Sequence, residues 1–172
     1  MNRNKFLQIA MRWRQAAVVL LLFWLAAGCS VGTDEEDISN SSDGEITETD
    51  ATGNVVDEDS NDWRIQNYFK NNVYIKPAYP NPTSNGIVTI TMTFIANIPE
   101  SGVYIYANNI NSVGVFLYQL PDVSYGAKTF SFSLVGLSPS SSLTQIQGKQ
   151  FRLRIYDGMG RLISFGDVEI AE

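Results

Sequence analysis

Residues 88–94 constrain the fold more than any other stretch. Val88, Ile90, Met92 and Phe94 alternate with Thr89, Thr91 and Thr93. A period of two places the apolar set on one face and the hydroxyls on the other, the pattern of a strand with one buried and one wet side. The period returns where Val103, Ile105 and Ala107 alternate with Tyr104 and Tyr106, and where Phe130, Phe132 and Leu134 alternate with Thr129, Ser131 and Ser133. Residues 113–120 are apolar on both faces. Further strands are read at 73–77, 151–156 and 161–170, the last two flanking the hairpin turn Asp157-Gly158-Met159-Gly160. Ser84-Asn85-Gly86, Pro99-Glu100-Ser101-Gly102, Asn108-Asn109-Ile110-Asn111-Ser112 and the serine- and proline-rich stretch 138–142 punctuate the others. In Tyr79-Pro80-Asn81-Pro82 two prolines remove two ladder donors, which demands an edge or a sheet-switching corner.

Short strands at this spacing, with no helical period, predict an all-β domain: a single Ig-like β-sandwich of about seven strands over residues 63–172. The start of that region, Asp62 to Lys70, is open to two readings: a two-turn helix capped by Asp62, or an irregular lead-in that packs Trp63 on the domain.

The net charge of −6 is unevenly spread. Residues 1–28 carry +4, residues 29–62 carry −12 with no base, and residues 63–172 carry +2. The acidity belongs to the linker, and the domain has no basic stripe, so a nucleic-acid partner is not expected. The chain has no histidine and one cysteine, Cys29. That excludes histidine triads, the common zinc ligand sets and an internal disulfide framework.

Residues 1–15 are basic and polar, and residues 16–27 form an apolar run that ends in small residues. A transmembrane span needs about 20 apolar residues, and Arg12 and Arg14 block extension upstream, so the run reads as a secretory signal over residues 1–28. Leu25-Ala26-Ala27-Gly28-Cys29 closely resembles the lipobox of bacterial lipoproteins. That resemblance implies cleavage before Cys29, acylation (palmitate or a similar chain) of its thiol and new amino group, and a membrane as partner. Several acyl chains, at about 0.8 kcal/mol per buried CH₂, make release very slow. Ser30, rather than aspartate, matches the sorting rule for outer-membrane lipoproteins. Asp34-Glu35-Glu36-Asp37 resembles the acidic signals that send Bacteroidota lipoproteins to the cell surface.

From 30 to 62 the apolar residues are isolated among Ser, Thr, Asn, Gly, Asp and Glu, which predicts a disordered acidic tether. Asp57, Asp59 and Asn61 fall at alternate positions, as in a calcium loop. However, Asp62 stands where such a loop needs glycine and Tyr68 where it needs a bidentate glutamate, so no metal is expected.

Ala78-Tyr79-Pro80-Asn81-Pro82-Thr83 followed by Val88-Thr89-Ile90 resembles the opening of type IX secretion C-terminal sorting domains. It is similar also to the Ig-like domain of flagellar hook-capping proteins. Arg154-Ile155-Tyr156-Asp157-Gly158-Met159-Gly160-Arg161-Leu162-Ile163 resembles their tyrosine-aspartate hairpin, with Tyr156, Asp157, Gly160 and Arg161 as the motif positions. The resemblance implies a β-sandwich. It does not carry the sorting role, because a sorting domain follows a large cargo whereas a tether precedes this one, and because the hairpin lies at the C-terminal end.

The carboxylates of the domain are scattered over turns or the terminus, apart from Asp167 and Glu169, which share a strand face and read as a solvated edge. Serines 138–142 lack a base, with Lys128 a remote candidate. No catalytic residue, cofactor or small-molecule substrate is expected. Tyr104 and Tyr106 share a face. They read either as a platform for sugar rings or a protein, or as cross-strand packing against Phe116 or Tyr118. The expectation is a non-enzymatic, lipid-anchored outer-membrane protein that presents its domain to envelope proteins. The alternatives are a docking component of a type IX-like secretion system and a carbohydrate-binding module.

Overall fold

The computed structural model describes residues 45–96 and 101–172. The signal, the lipobox residues Leu25 to Gly28, Cys29 and the acidic residues 34–37 lie outside them, as do Pro99 and Glu100 of one predicted turn.

The described chain is all-β, in antiparallel sheets. All seven predicted strands form, within a few residues of their expected bounds: β3 Val73–Tyr79, β4 Ile87–Phe94, β5 Val103–Asn108, β6 Gly114–Leu120, β7 Gly126–Ser133, β8 Gln150–Asp157 and β9 Leu162–Glu169. A two-stranded hairpin precedes them, β1 Glu48–Thr49 and β2 Val55–Asp57. The larger sheets have orders β3-β4-β7 and β6-β5-β8-β9.

The alternation read from sequence decides which residues meet. In β4, Val88, Ile90, Met92 and Phe94 are all buried. The intervening threonines take the outer face, where Thr89 bonds Ser131 at 2.7 Å and Thr91 bonds Thr129 at 2.9 Å across the β4–β7 pair. From the other sheet Val103, Ile105, Ala107, Leu153 and Ile155 join the same buried cluster, giving a sandwich-like core. The core is stitched across by Tyr118 of β6, whose ring stacks on Phe130 at 4.8 Å between centroids.

The tether departs from expectation over its described part. Residues 45–62 form a short hairpin with irregular flanks, tied to the strands that follow. Thr47, Thr49, Asp59 and Asp62 are buried. The Asp50 carboxylate nucleates the β1–β2 turn by accepting from the Thr52 and Asn54 amides and from both of their side chains, which holds its pKa far below the usual carboxylate range. The Thr49 hydroxyl donates to the Ala78 carbonyl at 2.7 Å, and the Thr49 and Asn81 main chains exchange bonds. Side chains bonding to main chain supply the anchoring that apolar burial would otherwise give.

The lead-in that follows is the irregular one. Only Asn67–Phe69 is helical, as a single 3-10 turn, and Asp62 is no helix cap. Trp63 is buried against Gly166, where a β-carbon would collide with the indole. Glycine is required there by close approach rather than by backbone angle.

Candidate functional site

The residues singled out by sequence fall into two places on the four-stranded sheet: its β9 edge and the outer face around β5 and β6.

At β9 the proline motif proves to be structural. Both Tyr79-Pro80 and Asn81-Pro82 are cis. The corner aims the fully buried Asn81 side chain at β9. Its Nδ2 donates to the carbonyls of Thr47 at 2.8 Å and Asp167 at 3.0 Å, and its Oδ1 accepts from the Glu169 amide at 2.8 Å. One side-chain amide thus takes the place of a peptide unit of a neighbouring strand. Around it, Gln66 N–H bonds the Ile163 carbonyl, Trp63 N–H the Phe165 carbonyl and Thr83 N–H the Glu169 carbonyl. The Asp62 carboxylate accepts from the Asp167 amide at 2.7 Å and the Thr47 amide at 3.1 Å. Burial pushes the Asp62 carboxyl up to about 7, with the neighbouring Asp167 and Asp59 charges adding to the rise against those two amide bonds.

Asp167 corrects a second expectation. It is fully buried, not solvated, and Arg152 meets it with Nε at 2.9 Å and Nη2 at 2.6 Å. The same guanidinium lies 5.1 Å from the centre of the Phe165 ring. Its partner in the sequence reading, Glu169, accepts from the Gln150 side chain. The two carboxylates are therefore committed to separate structural partners.

The tyrosine-aspartate hairpin is structural too. Asp157 Oδ1 accepts from the Met159 and Arg161 amides, and Oδ2 pairs with Arg161 Nε at 2.6 Å. Gly160 takes a φ of 79°, which closes the turn. The Arg161 guanidinium, its proton held more tightly by Asp157, lies 4.3 Å from the Tyr68 ring centre, so it clasps the lead-in as well. Tyr156 pairs with Tyr104 across β8 and β5 and faces outward with it.

On that outer face Tyr104 and Tyr106 point away from the core, as the alternation required. Tyr106 packs on Phe116 at 5.5 Å with planes 60° apart and on Tyr156 at 6.1 Å with planes 69° apart. Tyr104 accepts from Gln119 through its hydroxyl. These rings interlock edge to face and share no common plane of the kind a flat sugar ring would lie on. Of the two neighbours the sequence offers, Phe116 packs there and Tyr118 does not, because β6 carries a bulge opposite the Ile105–Tyr106 step that turns Tyr118 inward.

What sequence reasoning missed is β6 as an edge. Val113, Phe116, Tyr106 and Ile110 are all exposed, Phe116 by 52%. No charged residue occurs from Val103 to Leu120, a signal that was readable without a structure. In the serine loop Ser138 and Ser140 both donate to Gln145, while Lys128 pairs with Asp122. Among the described residues no cluster of acidic or cysteine side chains has the geometry of a metal site. Comparison with protein-family models, with curated proteins and with solved structures yields no match to this chain.

Proposed function

We propose that this chain is a non-enzymatic lipoprotein of the outer membrane, tethered through lipid on Cys29, whose Ig-like β-sandwich serves protein interaction in the cell envelope. The anchor rests on Leu25-Ala26-Ala27-Gly28-Cys29 after a short apolar run, with the only cysteine in the chain at the acylation position. The Ig-like reading is supported by strand order: the first, second and fifth of the seven core strands share one sheet, and the other four share the second. The observation that carries the interaction role is the uncharged, exposed β6 edge with the aromatic row beside it. Every other conspicuous polar cluster is occupied in holding the fold.

Fractionation tests the anchor. Wild-type chain should label with a palmitate analogue and sediment with membranes, and Cys29→Ala should do neither while its domain remains folded. A Cys29→Ala chain that still partitions with membranes would overturn the reading. Protease treatment of intact cells then reports which side the domain faces.

A further inference from the structure

The two ends of the four-stranded sheet are treated differently. At β9 the outward main-chain groups from Ile163 to Glu169 are met by Gln66, Trp63, Asp62, Asn81 and Thr83. At β6 the pairing alternates from the Asn109–Val113 bond. Val115 therefore bonds to Ala107, and Gly114 and Phe116 turn their N–H and C=O groups away from β5. Among the described residues no hydrogen bond reaches those outward groups. The edges of the opposing sheet carry familiar protection, Lys76 and Pro77 in β3 and Lys128 in β7. β6, Gly114–Leu120, has neither charge nor proline.

We infer that β6 pairs antiparallel with β6 of a second copy of this chain, across a two-fold axis at Val115. This deepens the interaction reading above and rests on it, by naming the partner. Three observations select a second copy over another strand. First, in that register Gly114 of each copy faces Phe116 of the other, and both have their main-chain groups pointing outward, so each pair exchanges hydrogen bonds reciprocally. Second, a large exposed ring lies opposite a residue with no side chain, so Phe116 covers the bare main chain of Gly114 from the partner, a pairing in which aromatic and glycine compensate each other. Third, an uncharged strand meets no like charge when it meets itself. The assembly closes at two copies, because pairing uses both β6 edges and the far β9 edges are already covered. The bulge beyond Phe116 ends the new ladder.

The experiment uses the full chain in membranes. Val115→Cys brings two thiols to a non-hydrogen-bonded position directly across the axis, where Cα atoms come within about 4.5 Å, a separation that suits a disulfide. Mild oxidation should convert most of that variant to a dimer, whereas the wild-type chain and a Thr129→Cys chain on the opposing sheet should stay monomeric on the gel. Phe116→Lys and Phe116→Pro, placed at a half-exposed outward position, should each weaken dimerisation by tenfold or more in sedimentation of the detergent-solubilised chain. A folded Val115→Cys chain that fails to crosslink would overturn the proposal. So would a monomer at all concentrations, a polydisperse aggregate, or a dimer indifferent to both Phe116 variants. Anchoring is read separately by fractionation, so a chain that is anchored but unpaired refutes the pairing alone.

Discussion

The β9 and β6 edges belong to one sheet, and they solve the same problem in opposite ways. An edge strand presents unpaired amides and carbonyls that either find partners within the chain or recruit them from outside. At β9 the chain spends its lead-in, its proline corner and two buried side chains on internal partners. At β6 it spends nothing, and the neighbouring face is aromatic. The lesson is that the most specific sequence motif, Tyr79-Pro80-Asn81-Pro82, marks the closed edge, whereas the open edge is marked by the absence of charge.

The largest effect should come from breaking the closed edge at its centre. Asn81→Ala leaves the Thr47 and Asp167 carbonyls and the Glu169 amide without their partner in a buried place. Each stranded group costs about 1–3 kcal/mol. The variant should lose roughly 4 kcal/mol, enough to leave a domain of ordinary stability marginal, as read by urea denaturation. A loss below about 1 kcal/mol would mean that the edge is not held by this side chain. Next in size is Gly166→Ala. Its methyl would meet the Trp63 ring, and forcing the indole out should cost about 2–3 kcal/mol through overpacking and lost burial. Trp63 fluorescence should shift to the red as the ring meets water.

Asp62 gives the comparison a pH axis. Its carboxyl is raised from 3.8 to about 7 in the folded chain. Between those values the native state holds a proton that the unfolded chain has released. The corresponding stability is full below pH 4 and is lost as pH rises through 7. Other carboxylates move the opposite way; Asp122, for instance, is held low by Lys128 and the Ser124 amide. The measurable quantity is therefore the difference between wild type and Asp62→Asn. The variant should gain on wild type as pH goes from 4.5 to 7.5, and a constant difference across that range would contradict the assignment.

Legibility in the sequence follows the same divide. Strands β4, β5 and β7 are readable because each puts apolar side chains on a buried face at period two, and the other core strands because they are apolar-rich runs set between turn signals. Residues 45–62 read as disordered because their ordering leaves no such apolar mark. They are held by Thr47, Thr49, Asp59 and Asp62, four polar residues that bond main chain, and low hydrophobicity with high charge is what disorder also looks like. The alternation of Thr47 and Thr49 about Glu48, followed by Asp50-Ala51-Thr52-Gly53-Asn54, was the available signal. Asp167 was misjudged for a related reason: strand alternation assigned its face correctly, yet Arg152 and the lead-in cover that part of the face. The bulge that swaps Leu117 for Tyr118 has no signature in a run that is apolar on both sides.

The aromatic row is an intermediate case. Tyr106→Ala removes two edge-to-face contacts on a partly exposed ring and should cost about 1 kcal/mol. Tyr104→Ala should cost less, since its hydroxyl meets only an exposed glutamine. If the double variant left stability untouched, the rings would not be packing partners, and a ligand platform would regain its force. The smallest effect belongs to the open edge. Phe116 is half exposed and its main chain points away from β5, so Phe116→Lys disturbs the Tyr106 contact and little else within one molecule. Its stability measured on the monomer at high dilution should fall by about 0.5 kcal/mol, within the range of ordinary surface substitutions. Set beside Asn81→Ala, that is the sharpest form of the contrast: Asn81 closes the β9 edge from a neighbouring corner and the fold depends on it, whereas Phe116 stands on the open β6 edge of the same sheet and the fold does not use it.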